Sequence, residues 1–281
     1  MTTFENRSHE LPDNWWAYQS TCEILAGWFQ KHLVGLLISI SKNEKAHNNL
    51  VFTGFLLFYR ERLLWITAGH VIDKIQEVLQ EPNYDIVTMQ WLDGGKIPGA
   101  ESVIVHNRDL QFFSTYENDV DFGCVMIEGL DAANILQNNE VKVVTEQIWK
   151  NIHLSNPEGY YIVGYPEEWV ETDLESSSNN IMINKLFARV ACLPVEKTDH
   201  PGKSVDPFWN NPEAFYGKIL DYSDQNQPNS ISGMSGGPLL SIERDQNGEL
   251  RYYLFGLQHG WDKNKRIIRA ESIQTILQII S

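Results

Sequence analysis

The hydrophobic pattern at the start of the chain predicts one helix after a polar segment of fourteen residues. Between residues 15 and 31, apolar side chains recur at roughly helical spacing, at Trp16, Ile24, Leu25 and Trp28. A 3.6-residue repeat brings such positions to one face, so an amphipathic helix is expected here. Residues 1–32 are therefore interpreted as a partly helical N-terminal extension.

A series of short apolar runs follows the first helix and indicates β-strands. The runs are LVGLLISI, VFTGFLLFYR, LLWITAGHV, DIVTMQWL, ESVIVH and DFGCVMI. They are rich in β-branched and aromatic residues and are separated by polar or Gly/Asn-rich turns, which is typical of antiparallel strands. Residues 129–153 interrupt the series, where DAANILQNNE and TEQIWKNIH are expected to be short helices or irregular connections.

Strand-like runs resume in the second half of the chain. They are GYYIVGYP, NIMINKLFARVACLPV, YGKILDYS, PLLSIER and YYLFGLQHG. Two polar stretches interrupt them: residues 171–180 are expected to be a surface loop, and residues 196–215 a long insertion without a clear period. The chain closes with an amphipathic helix, because apolar residues fall at helical spacing at Ile273, Ile276, Leu277 and Ile280.

The overall pattern is two β-rich halves joined by a linker, with a helix at each end. Two antiparallel barrels or sandwiches lying side by side would produce it, so the predicted class is all-β. The expected segments after the N-terminal extension are residues 33–128 for the first β-barrel, 129–154 for the linker, 155–269 for the second β-barrel and 270–281 for the C-terminal helix.

Charge and cysteine content narrow the function classes. The chain has 281 residues and a net charge of −15, which argues against binding to nucleic acid or to an anionic membrane, since both need a basic surface. The N-terminus lacks the pattern of a secretory signal, and no apolar run is long enough to span a bilayer. Three widely spaced cysteines without a CxxC pair predict neither a disulfide framework nor a zinc site. We expect a cytoplasmic protein without a cofactor.

Three stretches carry candidate chemistry. His70 follows an apolar strand in TAGHV, two acids open the strand DVDFGCVMI, and Ser235 lies between glycines in SISGMSGGPLL. A serine hydroxyl becomes a nucleophile only beside a base, for which histidine has a suitable pKa. The imidazole needs a carboxylate to hold its tautomer, and the developing oxyanion needs backbone N–H donors. All of these parts are present, in the order His, Asp, Ser.

These blocks resemble those of the chymotrypsin-like (trypsin-like) serine peptidases. TAGH, DFGCVMI and GMSGGPLL match the three blocks that carry the family's catalytic residues, and FTGFLL, YYIVGYP and LFGLQHG resemble further strands of the family. The resemblance covers roughly residues 33–281. It implies two six-stranded antiparallel β-barrels with the site in the cleft between them. It also implies a polypeptide substrate and hydrolysis of peptide bonds through an acyl-enzyme.

The resemblance assigns a role to each matching residue. His70 would be the general base, Asp121 would orient it, and Ser235 would be the nucleophile. Asp121 is preferred over Asp119 because the family's acid immediately precedes an apolar strand. The amides of Gly233 and Ser235 would form the oxyanion hole. The substrate pocket would be lined by Asn229, Ser230, Ser232 and Gly260.

The chain also departs from the family pattern. Met234 stands where secreted members carry an acid that pairs with a freshly cut N-terminus, and the family's disulfides are missing. Both departures suit the intracellular or bacterial branch and make activation by N-terminal cleavage doubtful. Asn229 is neutral, so that no strict preference for a basic or an acidic side chain is indicated.

Several other interpretations of the same residues remain. GMSGG also fits the nucleophile elbow of α/β-hydrolases, but that fold requires the acid and the histidine after the serine, with more chain than is present here. A catalytically silent module that keeps only the binding cleft is one alternative. Another is a latent enzyme, covered by the N-terminal helix or by residues 196–215 until an activating protein partner binds. Cys124 is interpreted as packed core, and surface or loop positions are expected for His106, His153, His200 and His259.

Overall fold

The computed structural model describes ten stretches of the chain. They are residues 15–42, 46–93, 103–105, 110–116, 119–128, 141–150, 156–177, 180–202, 207–221 and 227–281. Within these stretches no helix is long and apolar enough to cross a membrane.

Strands dominate the described chain. In chain order they are β1 (Val34–Lys42), β2 (Ala46–Phe52), β3 (Phe55–Tyr59), β4 (Arg62–Thr67), β5 (Asp85–Asp93), β6 (Val103–Ile104), β7 (Gln111–Thr115), β8 (Phe122–Ile127), β9 (Gly159–Gly164), β10 (Val170–Ser177), β11 (Asn180–Ala188), β12 (Ala191–Lys197), β13 (Phe215–Ile219), β14 (Pro238–Arg244), β15 (Leu250–Asp262) and β16 (Ile267–Ser272). The α-helices are α1 (Gln19–Phe29), α2 (Gly69–Gln80), α3 (Glu146–Trp149) and α4 (Ile273–Ile279). Single 3-10 turns occur at Trp15–Ala17, Gln30–His32, Glu167–Trp169 and Pro207–Asn210.

The second half of the chain forms a closed antiparallel barrel of six strands, in the order β12-β13-β16-β15-β14-β9. The pairing brings Leu239 opposite Ile162 and Phe215 opposite Ala270. Its interior is filled by apolar side chains from all around the barrel, including Ile162, Leu193, Val195, Phe215, Leu239, Ile268 and Ala270. The predicted six-stranded barrel is therefore confirmed for this half.

The first half is arranged differently from the expected six-stranded barrel. The eight strands described in this half form two four-stranded sheets, in the orders β2-β1-β5-β6 and β3-β4-β8-β7. A bridge from Leu33 to Phe55 links the sheets at one corner, and apolar side chains from both sheets and from α2 fill the space between them. In the described residues, a closed barrel of six strands is found only in the second half.

The N-terminal helix is packed into a core cluster shared by both halves. Cys22, Leu25 and Phe29 are buried, together with strand residues of the first half such as Phe55 and of the second half such as Tyr161. The Tyr161 hydroxyl donates a hydrogen bond to the backbone carbonyl of Trp16. The segment therefore holds the two halves together instead of hanging from the surface.

Phe29→Ala is expected to lower the free energy of unfolding by about 3–5 kcal/mol, because it leaves a cavity in this shared cluster. The Phe29 side chain is fully buried and its ring contacts the rings of Tyr161 and Tyr252. Ile24→Ala, at an exposed position of the same helix, serves as the control and should change stability by less than about 1 kcal/mol. Urea unfolding followed by tryptophan fluorescence measures both, and equal losses would contradict this packing.

Several elements differ from the sequence-based expectations. The helix α2 was not predicted, although Ile72, Ile75 and Leu79 repeat at helical spacing. The expected surface loop at residues 171–180 is wrong for β10, which pairs with β11 over its whole length. Backbone hydrogen bonds with β11 form this hairpin, so its first strand does not need a marked apolar alternation. DAANILQNNE lies outside the described residues, whereas α3 confirms a short helix in TEQIWKNIH.

The C-terminal helix is also shorter than expected. Residues 267–272 form β16, the barrel strand between β13 and β15, so the helix begins only at Ile273. The Ser272 hydroxyl accepts a hydrogen bond from the Thr275 N–H at 3.1 Å, which caps the helix. The expected helix at 270–281 is therefore corrected to α4.

Candidate active site

His70 lies where a buried strand turns into a helix. The strand β4 ends at Thr67, and α2 starts at Gly69, so His70 occupies the first turn of α2. Its side chain is about half exposed, at 46%. Gly69 allows the close approach of the acid behind it, because a Cβ at this position would lie 2.8 Å from Asp121 Oδ1. This turn therefore presents a partly exposed imidazole beside a carboxylate.

Asp121 lies directly before β8 and accepts two hydrogen bonds from His70. Its Oδ1 accepts from the His70 backbone N–H at 3.0 Å, and its Oδ2 accepts from the His70 ring Nδ1 at 2.6 Å. The strands β4 and β8 are neighbours, with Thr67 opposite Gly123, which brings the two residues together. A carboxylate only accepts, so Nδ1 carries the proton and Nε2 is free to accept one.

The Asp121 carboxyl is buried but remains ionised. Burial alone would raise its pKa, but interactions with His259 and His70 outweigh the burial and hold the pKa below its ordinary value. A charged group this far from solvent needs such partners, since an unpaired buried charge is strongly unfavourable. The site therefore contains a permanent negative charge behind the His70 ring.

Ser235 lies in a loop built from two successive tight turns. The Met234 N–H donates to the Ile231 carbonyl and the Gly237 N–H donates to the Met234 carbonyl, each at 3.0 Å. Gly233 and Gly236 have φ values of +90° and +95°, which other residues rarely adopt. The loop leads directly into β14, which begins at Pro238. Ser235 itself is half-buried.

Two threonines dock the Ser235 loop onto the end of β4, the strand that leads into the helix of His70. The Thr53 hydroxyl donates to the Gly233 carbonyl at 2.5 Å, and the Thr67 hydroxyl donates to the Thr53 carbonyl at 2.8 Å. Gly236 lies so close to this pair that a Cβ there would be 2.1 Å from Thr67 Oγ1. The loop of Ser235 thus contacts the end of β4, three residues before His70. Both threonines lie in blocks that the sequence analysis singled out, Thr53 in FTGFLL and Thr67 in TAGH, but sequence reasoning gave neither of them a role.

Gly236→Ala is expected to destabilise the fold by at least about 2 kcal/mol and to abolish any activity of Ser235, because the loop must move away from Thr67. Gly202→Ala is the matched control, since Gly202 also has a φ of +90° but a Cβ there would have no described residue within 4 Å. The difference between the two variants in urea unfolding separates the contacts with Thr67 and Thr53 from the backbone strain. Equal losses would show that the loop is not docked in this way.

The two candidate oxyanion donors, the N–H groups of Gly233 and Ser235, have no acceptor among the described residues. Within the described part of the chain, neither the Gly233 N–H nor the Ser235 N–H donates a hydrogen bond, so both can donate to a ligand oxygen. The Ser235 hydroxyl likewise forms no hydrogen bond to a described residue, His70 included. Hydrogen bonds of this kind are often long in a free enzyme and tighten when substrate binds.

The candidate pocket residues fall on two segments. Asn229, Ser230 and Ser232 lie on the stretch leading to the Ser235 loop, where the two serine hydroxyls hydrogen-bond at 3.0 Å. Gly260 is buried on β15, and its carbonyl accepts from the Gln258 side chain at 3.2 Å. The Asn229 N–H donates to the Glu168 carboxylate at 2.6 Å. Glu168 was missed by sequence reasoning, which gave it no special position.

Two further candidate residues, Asp119 and His259, differ in their burial. Asp119, the alternative acid, is exposed with a φ of +61°, and Asp121 is the acid that contacts His70. His259, expected at a surface or loop position, is buried in β15 with its Nδ1 3.6 Å from Asp121 Oδ2. His259 is the extra residue of a β-bulge, so strand alternation gave no signal for its direction.

Comparison with known proteins gives a structural likeness at low sequence identity. No protein-family model matches the chain, and no curated protein matches it in sequence. The serine protease domain of the Sesbania mosaic virus polyprotein is 15% identical over 89% of this chain and 92% of its own, with a TM-score of 0.40. The protease Anisep from Arthrobacter nicotinovorans is 14% identical over 87% and 93%, with a TM-score of 0.42. A Glu endopeptidase is 15% identical over 89% of both chains, with a TM-score of 0.45. These values carry neither substrate nor activity over to this chain.

Proposed function

We propose that this chain is a serine endopeptidase with Ser235 as nucleophile, His70 as general base and Asp121 as the acid that orients it. The observation that carries the proposal is the 2.6 Å hydrogen bond from His70 Nδ1 to buried Asp121, next to the strand end on which the Ser235 loop is docked. A base with its tautomer fixed and a nucleophile loop held beside it are the requirements of acyl transfer.

The first chemical step forms the acyl-enzyme. His70 Nε2 accepts the hydroxyl proton of Ser235 while Oγ bonds to the carbonyl carbon of the substrate. The N–H groups of Gly233 and Ser235 donate to the resulting oxyanion, which is worth roughly 3–4 kcal/mol for each donor. When the C–N bond breaks, the proton passes from Nε2 to the leaving amine. Asp121 stabilises the imidazolium that exists between the two transfers.

The second step releases the product. A water molecule gives a proton to His70 Nε2 while its oxygen bonds to the acyl carbon, and the Ser235 oxygen then leaves and takes that proton back. No metal or organic cofactor is needed for either step. The substrate is accordingly proposed to be a polypeptide, held in a pocket of which Asn229, Ser230, Ser232 and Gly260 form part. The neutral Asn229 favours neither a basic nor an acidic side chain in that pocket.

The two four-stranded sheets of the first half are proposed to be the counterpart of the first barrel of a chymotrypsin-like double barrel. Support comes from their joint core and from the position of His70 and Asp121 at the ends of neighbouring strands β4 and β8. The second barrel contributes the Ser235 loop. Catalytic residues from both halves would then meet between them, as the family resemblance of the three sequence blocks implies.

A reducing compartment is proposed for the protein. Cys22, Cys124 and Cys192 are all free and buried. Burial raises the pKa of Cys22 and Cys124 to about 12 and that of Cys192 well above its ordinary value, so that all three remain thiols at neutral pH. Unpaired, inert thiols are common in cytoplasmic proteins and support a cytoplasmic location.

Covalent labelling tests the proposal. A fluorophosphonate should add once to the wild-type protein, at Ser235, with the adduct located by peptide mass spectrometry. Ser235→Ala should give no adduct, and His70→Ala should label far more slowly because the base is missing. A wild-type labelling rate no higher than that of His70→Ala would contradict an assembled catalytic site.

The open Ser235 hydroxyl favours a second candidate, a latent or catalytically silent form of the same fold. In the described residues Ser235 has no hydrogen bond with His70, which is the arrangement expected before an activating partner closes the site. A silent binding module would behave identically in Ser235→Ala and wild-type form in every functional assay. The labelling rate separates these alternatives, since only a site that can assemble depends on His70.

A further inference from the structure

A buried chain of charged groups continues behind Asp121, away from His70. His259 Nδ1 lies 3.6 Å from Asp121 Oδ2, and His259 Nε2 lies 3.5 Å from Glu271 Oε1. Arg269 Nη2 lies 2.7 Å from the same Glu271 oxygen and also donates to the carbonyl of Asp119. Asp121, His259, Glu271 and Arg269 are all 3% exposed or less. We call these four residues the buried charge chain.

The position of His259 within this chain is specific. Its Nδ1 faces Asp121 Oδ2, the same oxygen that accepts the hydrogen bond from His70 Nδ1. Two imidazole rings therefore share one carboxylate oxygen. The backbone of the preceding residue helps to fix this position. The Gln258 carbonyl, directly before His259, accepts from the Gly236 N–H at 2.8 Å, directly after Ser235. His259 therefore lies beside the acid, directly after a residue that is bonded to the nucleophile loop.

Charge balance indicates the form of the ring. Both nitrogens of His259 face carboxylate oxygens, at 3.6 and 3.5 Å, and a protonated imidazole would have an N–H directed at each of them. With that proton, the buried charge chain alternates in sign and sums to zero. Without it, two buried carboxylates would face one guanidinium. Buried charges persist only where they are paired in this way.

The structure assigns His259 as a positioning residue that holds the Asp121 carboxylate against His70, with Glu271 and Arg269 fixing His259 in turn. The effect of this positioning on catalysis rests on the proposed function. Asp121 can rotate about its side-chain bonds, and its Oδ2 would lose its interaction with His259 on the far side if the ring were removed. A displacement of this carboxylate by a fraction of an ångström is enough to misalign the His70 ring.

The groups that face His259 come from several elements. His70 lies on α2, Asp121 precedes β8, and Glu271 and Arg269 lie on β16. Tyr216 on β13 is electrostatically coupled to Arg269, Glu271 and Asp119. A change in the protonation of one of these residues affects the others. The test therefore measures the ring signals of His259 and His70 separately.

The experiment compares His259→Gln with His32→Gln in protein labelled with 15N-histidine. The control residue His32 is also buried and bonded at both ring nitrogens, but its partners, the Lys142 carbonyl and the Tyr252 hydroxyl, do not belong to the buried charge chain. The 2.6 Å bond should give a strongly deshielded His70 Nδ1 proton in the wild type. His259→Gln should shift or broaden that signal, and His32→Gln should leave it unchanged. Glu271→Gln should shift it in the same direction.

Kinetics provide the second readout. We expect His259→Gln to lower kcat by about 10- to 100-fold with little change in KM, because the proposed pocket residues Asn229, Ser230, Ser232 and Gly260 are not themselves substituted. If His259→Gln does not fold, the same measurements are made on Glu271→Gln, for which a smaller decrease in kcat is expected. An unchanged His70 signal and an unchanged kcat in a folded variant would overturn the assignment. A ring nitrogen of His259 without a proton at neutral pH would overturn the charge-balanced form.

The two proposals fail in different ways. If the wild type neither hydrolyses peptides nor labels with a fluorophosphonate, but the His70 signal still depends on His259, the positioning role stands and the peptidase assignment falls. If labelling and hydrolysis are normal and independent of His259, the peptidase assignment stands and the positioning role falls.

Discussion

Ser235→Ala is expected to reduce kcat/KM for peptide hydrolysis by about 10⁵- to 10⁶-fold. In the proposed mechanism the hydroxyl oxygen of Ser235 bonds to the substrate carbonyl, and the alanine variant lacks this atom. The substitution should hardly affect the fold, since the half-buried hydroxyl makes no hydrogen bond to any described residue. The change in the free energy of unfolding should stay within about 0.5 kcal/mol.

The measurement is hydrolysis of a mixed peptide library, followed by mass spectrometry, together with urea unfolding of the same preparations. Ser20→Ala, at an exposed position on α1, controls for the loss of a serine hydroxyl and for contaminating peptidases. Retention of more than about 1% of the wild-type rate by Ser235→Ala would place the nucleophile elsewhere. The cleavage sites in the wild-type digest would also reveal the side chain that the pocket accepts.

Asp121→Asn should lower kcat by about 10⁴-fold. An asparagine in this position can direct its NH₂ group toward His70 Nδ1, which favours the tautomer with the proton on Nε2. That tautomer cannot accept the proton of Ser235. The imidazolium formed during the reaction would also lose the negative charge that stabilises it. The effect therefore combines a wrong tautomer with a weaker base.

Asp119→Asn is the matched control for this prediction. Asp119 is exposed, and its backbone carbonyl is the atom that accepts from Arg269, so its carboxylate is dispensable in this geometry. Asparagine also tolerates the positive φ of this position. The control should retain nearly full activity, and a larger loss in Asp119→Asn than in Asp121→Asn would reverse the assignment of the acid.

The pH dependence of stability gives an independent check on Asp121. Its pKa in the folded protein is lowered, whereas an unfolded chain has an aspartate pKa of about 3.9. The ionised carboxylate therefore contributes stability that is fully present above about pH 4 and is lost as the pH falls toward the folded value. In urea unfolding, the difference between wild type and Asp121→Asn should be constant near neutral pH and should shrink in acid.

Much of the secondary structure followed from local pattern. Short β-branched and aromatic runs predicted most strands, and the spacing of Ile273, Ile276 and Leu277 predicted the last helix, because burial on one face leaves a periodic trace in the sequence. Structure that depends on pairing was missed, as in β10, where the backbone bonds with β11 decide the outcome. The helix α2 carried a periodic signal that the neighbouring strand pattern obscured.

The sequence by itself determined the chemistry that the site can offer: a histidine, an acid and a serine between glycines, each residue type required by acyl transfer. Only the tertiary structure decided how these groups are connected. The pairing of β4 with β8 brings Asp121 to His70, and the bulge in β15 turns His259 inward toward the same carboxylate. A one-residue shift in a strand reverses the direction of every following side chain, so such contacts depend on register and are not encoded in local sequence.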